Sequence, residues 1–213
     1  MQKVILSALG LATVLMPAVA SAQSKPTSAY YITKEEVDTV NAQPGVDRTI
    51  QVMDIGNEHF SVGIIHRGKN AGPSATAAAP AAQAAPAPGT QACGTAEANV
   101  PAGLSSGLYH NRQTEGYLIV SGEGTIVTGG HIVNGRTSAP DAEVTTTLNG
   151  PSCSGRIAGA DVVHRQVKTG DIVIIPAGVP HGWDAIPDHV DYLSFRPSQD
   201  VLTAGYRHPS LKK

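Results

Sequence analysis

The chain has 213 residues, a formal charge of −2 and an aromatic content of only 4 %. Near-neutrality without a basic cluster gives no footing for nucleic acid or an anionic membrane, so neither is expected as a partner. The length fits one domain with a full core, and the scarcity of aromatics makes that core aliphatic.

In chain order, Met1-Gln2-Lys3 carries positive charge and is followed by an apolar run as far as Met16. That run is too short to span a bilayer comfortably, and Ala20-Ser21-Ala22 supplies small residues for cleavage. Residues 1–22 are therefore expected to be a signal peptide cut after Ala22. The mature protein is expected to be periplasmic or secreted, with no membrane association.

Residues 23–47 form an N-terminal extension. Within it, Thr33-Lys34-Glu35-Glu36 reads as a capping box that starts a short helix ending before Pro44-Gly45. From residue 48 to about 200 the pattern is one of short strands. Residues 49–55 and 59–67, rich in Val, Ile and Thr, are separated by the turn signal Gly56-Asn57. Residues 71–91 are dominated by Ala and Pro and have almost nothing large to bury, as expected of a flexible, exposed loop insertion. Cys93 and Cys153 are the only cysteines, and an even pair in an exported chain reads first as a disulfide.

Further strands are expected at 104–110, 115–120, 125–127, 144–148, 162–167, 172–175 and 190–195, with a hairpin turn at Gly122-Glu123-Gly124 and an unassigned tail over 201–213. Many short strands punctuated by Gly and Pro predict an all-β sandwich or barrel preceded by one short helix.

The chemistry-bearing residues fall in two segments. Gly170 to His181 reads as a buried strand ending at Pro176, a tight turn at Gly178, and a histidine presented straight after it. Upstream, His110 and Glu115 flank Asn111-Arg112-Gln113-Thr114. Strand alternation puts Tyr117, Ile119 and Ser121 on the face of Glu115, and Trp183 on the face of His181. The result is a mostly apolar wall with a few convergent polar groups, the usual character of a small-molecule site. Substrate contacts are expected from Tyr117, Ile119, Trp183 and Arg112.

Two imidazoles and one carboxylate suit one divalent transition metal, either Fe, Mn, Ni or Zn, with open coordination positions. A buried Glu115 also calls for a cationic partner. Arg112 and Arg67 are the candidates, and either could bind a substrate carboxylate instead. His66, His131, His164, His189 and His208 lack a companion at motif spacing and read as structural or surface residues. Ser121 and Ser194 show no histidine and acid arranged for nucleophile activation.

These two segments resemble the signature motifs of the cupin superfamily. Gly170, Pro176, Gly178 and His181 stand at the spacing of the second motif, whose usual closing asparagine is replaced by Ala185. Glu115 and Gly122 have the separation of the first motif, and His110 matches the second histidine of its His-x-His pair. The first histidine of that pair falls on Leu108.

The resemblance covers roughly residues 62–197. It implies a jelly-roll barrel, the double-stranded β-helix, with metal ligands His110, Glu115 and His181. It further implies dioxygenase, lyase or isomerase chemistry on a small organic molecule, with Glu115 as ligand or general base and Tyr117 as proton donor or substrate contact. The alternative is a non-catalytic binder of a carboxylate or sugar that has lost tight metal binding, and a homodimer is implied by the resemblance alone.

Overall fold

The computed structural model describes residues 26–73, 88–199 and 201–212. The expected signal peptide and most of the Ala/Pro-rich insertion lie outside these residues. The first element is α1 (Lys34–Asn41), and its N-terminus is closed by both bonds of the capping box: Glu36 N donates to Thr33 Oγ1 and Thr33 N donates to the Glu36 carboxylate. The strands follow as β1 (Asp47–Asp54), β2 (His59–Ala71), β3 (Ala92–Cys93), β4 (Ser106–His110), β5 (Glu115–Thr128) and β6 (His131–Thr137). After a helical turn at Val144–Leu148 come β7 (Ser152–Ala158), β8 (Val163–Lys168), β9 (Ile172–Ile175), β10 (His181–Trp183) and β11 (Ala185–Ser198).

The strands close around one another through β5, which belongs to both faces of the barrel. Its first half pairs with β11 and β9, its second half with β8 and β10. One face runs β1-β2-β11-β5; the other continues from β5 through β10, β4, β7 and β6 to β3. This is the all-β double-stranded β-helix with a short N-terminal helix.

The hairpin expected at Gly122-Glu123-Gly124 is not formed. The strand instead carries a bulge, because the register slips so that Asp191 faces Ser121 while Tyr192 faces Ile119. Gly122, at φ +70°, makes the bend; a Cβ there would lie 2.0 Å from the His189 carbonyl oxygen. A bulge lets one strand serve two sheets, which a two-residue turn would forbid.

The strand expected at 144–148 is also corrected: Val144–Leu148 is a turn of π-helix. The local cause is visible in its threonines. Thr146 Oγ1 and Thr147 Oγ1 donate to the carbonyls four residues back, at 3.2 and 3.0 Å, which favours a helical turn over an extended chain.

Inside the barrel, Ile65, Tyr117, Ile119, Ile126, Ile175, Trp183 and Tyr192 form the main core. A second cluster lies on the outer face of β1 and β2, where Val37 and Val40 of α1 pack on Ile50, Val62 and Ile64. The tail covers the outer edge of β1, since Val52 N donates to Tyr206 O, and Gly205 N and His208 N donate back to Val52 O and Ile50 O.

Cys93 and Cys153 form a disulfide across 60 residues. In the chain-entropy account a loop of that length is worth about 4 kcal/mol. The Cys93→Ala/Cys153→Ala variant should unfold at a markedly lower urea concentration, and unreduced protein should show no free thiol after denaturation. Finding two thiols would contradict the pairing.

Candidate metal centre

Glu115 opens β5, His110 closes β4 and His181 opens β10, so three strand ends converge at one level of the barrel. His181 is presented by the turn after Pro176, where Gly178 adopts φ +82° and Val179 N donates to Pro176 O at 3.1 Å. All three side chains are buried, with no residue more than 5 % exposed. One ligand atom of each lies within 4.8 Å of the others, an arrangement that could hold a metal ion. Leu108, at the position of the usual further histidine, is the cross-strand partner of His181.

The hydrogen bonds fix which imidazole nitrogen faces inward. His110 Nδ1 lies 2.7 Å from Asn149 O, and His181 Nδ1 lies 3.0 Å from Val179 O. A carbonyl only accepts, so each Nδ1 carries a hydrogen and, in the neutral ring, each Nε2 is a lone pair. Both Nε2 atoms point at the same oxygen, Glu115 Oε2, at 3.1 Å. Oε2 also accepts from Tyr117 OH at 2.9 Å.

Two lone pairs aimed at an ionised oxygen repel one another unless protons or a cation lie among them. A divalent cation answers that requirement with the donor types it prefers, and carbonyl-anchored Nδ1 groups are the usual outer support of metal-binding histidines. The residues therefore fit such an ion.

The other oxygen of Glu115 is already committed. Oε1 accepts from Arg196 Nε and from Ser194 Oγ, each at 2.6 Å. Arg196 in turn donates to Asp47 Oδ2 at 2.6 Å and to Leu148 O at 3.2 Å. Burial alone would raise the Glu115 pKa; the Arg196 charge outweighs it and holds the carboxyl well below its usual range. Burial likewise opposes the Arg196 charge, but Asp47 and Glu115 raise its pKa still further. Burial and the neighbouring Glu115 push the Tyr117 phenol well up, so it stays a donor.

The structure brings His110, Glu115, His181 and Tyr117 together. Ile119 is buried in the core, and Trp183 packs 5.4 Å from the Tyr192 ring, donating Nε1–H to its hydroxyl at 3.2 Å. Arg112 is exposed, and the guanidinium that meets Glu115 belongs to Arg196 instead. Arg67, the other candidate, donates Nε–H to Tyr192 OH at 3.0 Å.

Sequence reasoning missed Arg196, although the alternation of Tyr192, Ser194, Arg196 and Ser198 on one face of β11 was a usable signal. Of the remaining histidines, His66 and His164 pair with Asp191 and Asp184, each at 2.6 Å, outside the triad. Ser121 does meet a histidine, His189, at 2.8 Å, on the barrel exterior, where Asp188 on the other ring nitrogen is 91 % exposed.

The fold is a double-stranded β-helix, and the two segments that build the centre are those that resemble the cupin motifs, with Leu108 and Ala185 as departures. Solved structures similar to this chain include a protein from Bacillus halodurans, at 10 % identity over 86 % of this chain and 89 % of that one, TM-score 0.42. Another is an uncharacterised protein with a double-stranded β-helix domain from Klebsiella pneumoniae, at 15 % identity over 82 % and 94 %, TM-score 0.37. A cupin protein from Bacteroides fragilis is similar at 16 % identity over 69 % and 71 %, TM-score 0.28. No protein-family model matches the sequence, and no curated protein is significantly similar to it.

Arg196→Met would leave the Glu115 charge buried with no guanidinium beside it. Such a loss costs about 3–5 kcal/mol. Urea unfolding should show this loss, and adding Glu115→Gln should recover a large part of it. A single variant that loses less than about 1 kcal/mol would show that Arg196 does not balance the carboxylate.

Proposed function

We propose that this chain is an exported, metal-dependent cupin acting on a small organic molecule, with chemistry of the dioxygenase, lyase or isomerase type. The observation that carries the reading is the convergence on Glu115 Oε2 of two imidazole Nε2 atoms whose rings are anchored to carbonyls through Nδ1. His110, His181 and Glu115 Oε2 would hold one divalent ion among Fe, Mn, Ni and Zn. When bound, such an ion supplies Lewis acidity at a substrate oxygen or a place for oxygen activation.

The chain's own residues have separate tasks. Arg196 and Ser194 hold Oε1, so Glu115 presents only Oε2 to the centre. Tyr117, kept protonated by burial and by Glu115, has a hydroxyl hydrogen directed at Oε2 and is the nearest proton donor to the centre. Its ring packs 4.3 Å from that of Tyr192, which accepts from Arg67. Arg67 is thereby a candidate for meeting a carboxylate on the substrate. Export is supported by the disulfide, a bond favoured in oxidising compartments. The N-terminus of the mature protein should be Gln23.

The second reading is a non-catalytic binder of a carboxylate or sugar. Leu108 favours it, because an apolar side chain stands beside His181 where a further ligand would tighten metal binding.

Elemental analysis separates the two. Protein purified from the periplasm or medium, or reconstituted, should hold close to one metal ion per chain. Less than about a tenth of an equivalent would overturn the metalloenzyme reading. His181→Ala should lose the metal while keeping its disulfide and far-ultraviolet spectrum.

A further inference from the structure

The three converging groups do not by themselves supply the charge a divalent ion needs. Glu115 and Arg196 are both buried and meet at 2.6 Å, so carboxylate and guanidinium cancel. The imidazoles are neutral when they offer lone pairs, and Tyr117 keeps its hydrogen. An ion would then find donor atoms but no net negative charge, in a site too buried for bulk water to make up the difference.

Asp47 changes that balance. It opens β1, and its carboxylate takes the far side of the same guanidinium: Arg196 Nη2 donates to Oδ2 at 2.6 Å, and Nη1 lies 3.5 Å from Oδ1. Two carboxylates now share one guanidinium, which leaves the bonded set with one net negative charge. Burial works against the Arg196 charge, and of the two carboxylates that outweigh it Asp47 acts the more strongly.

No other cation cancels Asp47, which has no further ion pair among the described residues. Arg48, its neighbour in sequence, spends its guanidinium on the carbonyls of Asn41 and Gln43 and on Asn41 Oδ1, and Arg67 is bonded to Tyr192. The position of Asp47 also suits a permanent charge. Its side chain is 19 % exposed, so water helps to keep it ionised, whereas a second carboxylate beside Glu115 would be desolvated with the first.

We propose that Asp47 is a positioning residue of the metal centre: by holding Arg196 from the far side, it keeps Glu115 Oε2 negative enough to bind a divalent cation. This role rests on the metal reading, and Asp47 itself touches none of the three candidate ligands.

The test is the zinc affinity of the full mature chain, measured by competition with a chelating dye. Asp47→Asn removes the charge at almost unchanged size, and Arg196 keeps Glu115 and Leu148 O as partners, so the fold should hold. Its zinc Kd should rise roughly 10–100-fold, the usual effect of losing an outer partner of a metal ligand. Asp47→Glu, which retains the charge, should bind zinc like the parent protein. Asp47→Asn/Arg196→Met again leaves one net negative charge and should recover most of the lost affinity. A purely structural role predicts the reverse, because the double variant loses still more of the network. If Asp47→Asn alone does not fold, the double variant is compared with the parent protein, and a Kd more than about tenfold higher counts against the proposal.

Unchanged zinc affinity in Asp47→Asn would overturn the proposal and leave the metal reading standing. A double variant weaker than Asp47→Asn, or an Asp47→Glu variant as weak as Asp47→Asn, would overturn it as well. A parent protein that binds no zinc would overturn both, since Asp47 would have no ion to serve.

Discussion

A carboxylate taken wholly out of water organises this barrel. Glu115 is 1 % exposed, and the desolvation cost of a lone buried carboxylate is several kcal/mol. The surrounding structure offsets that cost on both oxygens separately. Oε1 is held by Arg196 and Ser194, both from β11, while Oε2 faces the two imidazoles and Tyr117. Asp47 on β1 then balances the second side of the Arg196 guanidinium. A chain of alternating charges thus ties β1, β11 and β5 together across the core. It also leaves one oxygen facing two lone pairs, and that unfinished arrangement is the proposed functional site.

Division of labour between the two oxygens has a chemical consequence. A carboxylate pinned by a guanidinium at Oε1 cannot readily turn to offer both oxygens to an ion. It also cannot easily take up a proton, because the Arg196 charge favours its ionised form. The centre is therefore better suited to holding a cation than to cycling a proton on Glu115. In the proposed chemistry, proton donation falls to Tyr117, whose raised pKa keeps the hydrogen in place at neutral pH.

What could be seen in the sequence was what depends on local physics. Thr33 and Glu36 announced a helix start, Ile172 to Ile175 a strand, and Gly178 the turn that presents His181; each is decided by neighbours a few residues away. Arg196 meets Glu115 across 81 residues, through the register of β11 on β5, and no local pattern states that register. β6 and β7 escaped notice because Gly135 and Gly155 interrupt the alternation within them; they are held by mutual pairing and by the disulfide at Cys153. Residues 144–148 misled in the other direction. Val and Thr suit a strand, but the threonine hydroxyls found carbonyl partners one turn back.

In the proposed reading, the buried carboxylate and the two imidazoles form a metal centre rather than a set of shared protons. X-ray absorption spectroscopy on zinc-loaded protein tests it most directly. One ion per chain is expected, bound by two imidazole nitrogens and carboxylate oxygen, with the imidazole signal halved in His110→Ala. Zinc that fails to bind, or that binds without imidazole in its first shell, would contradict it.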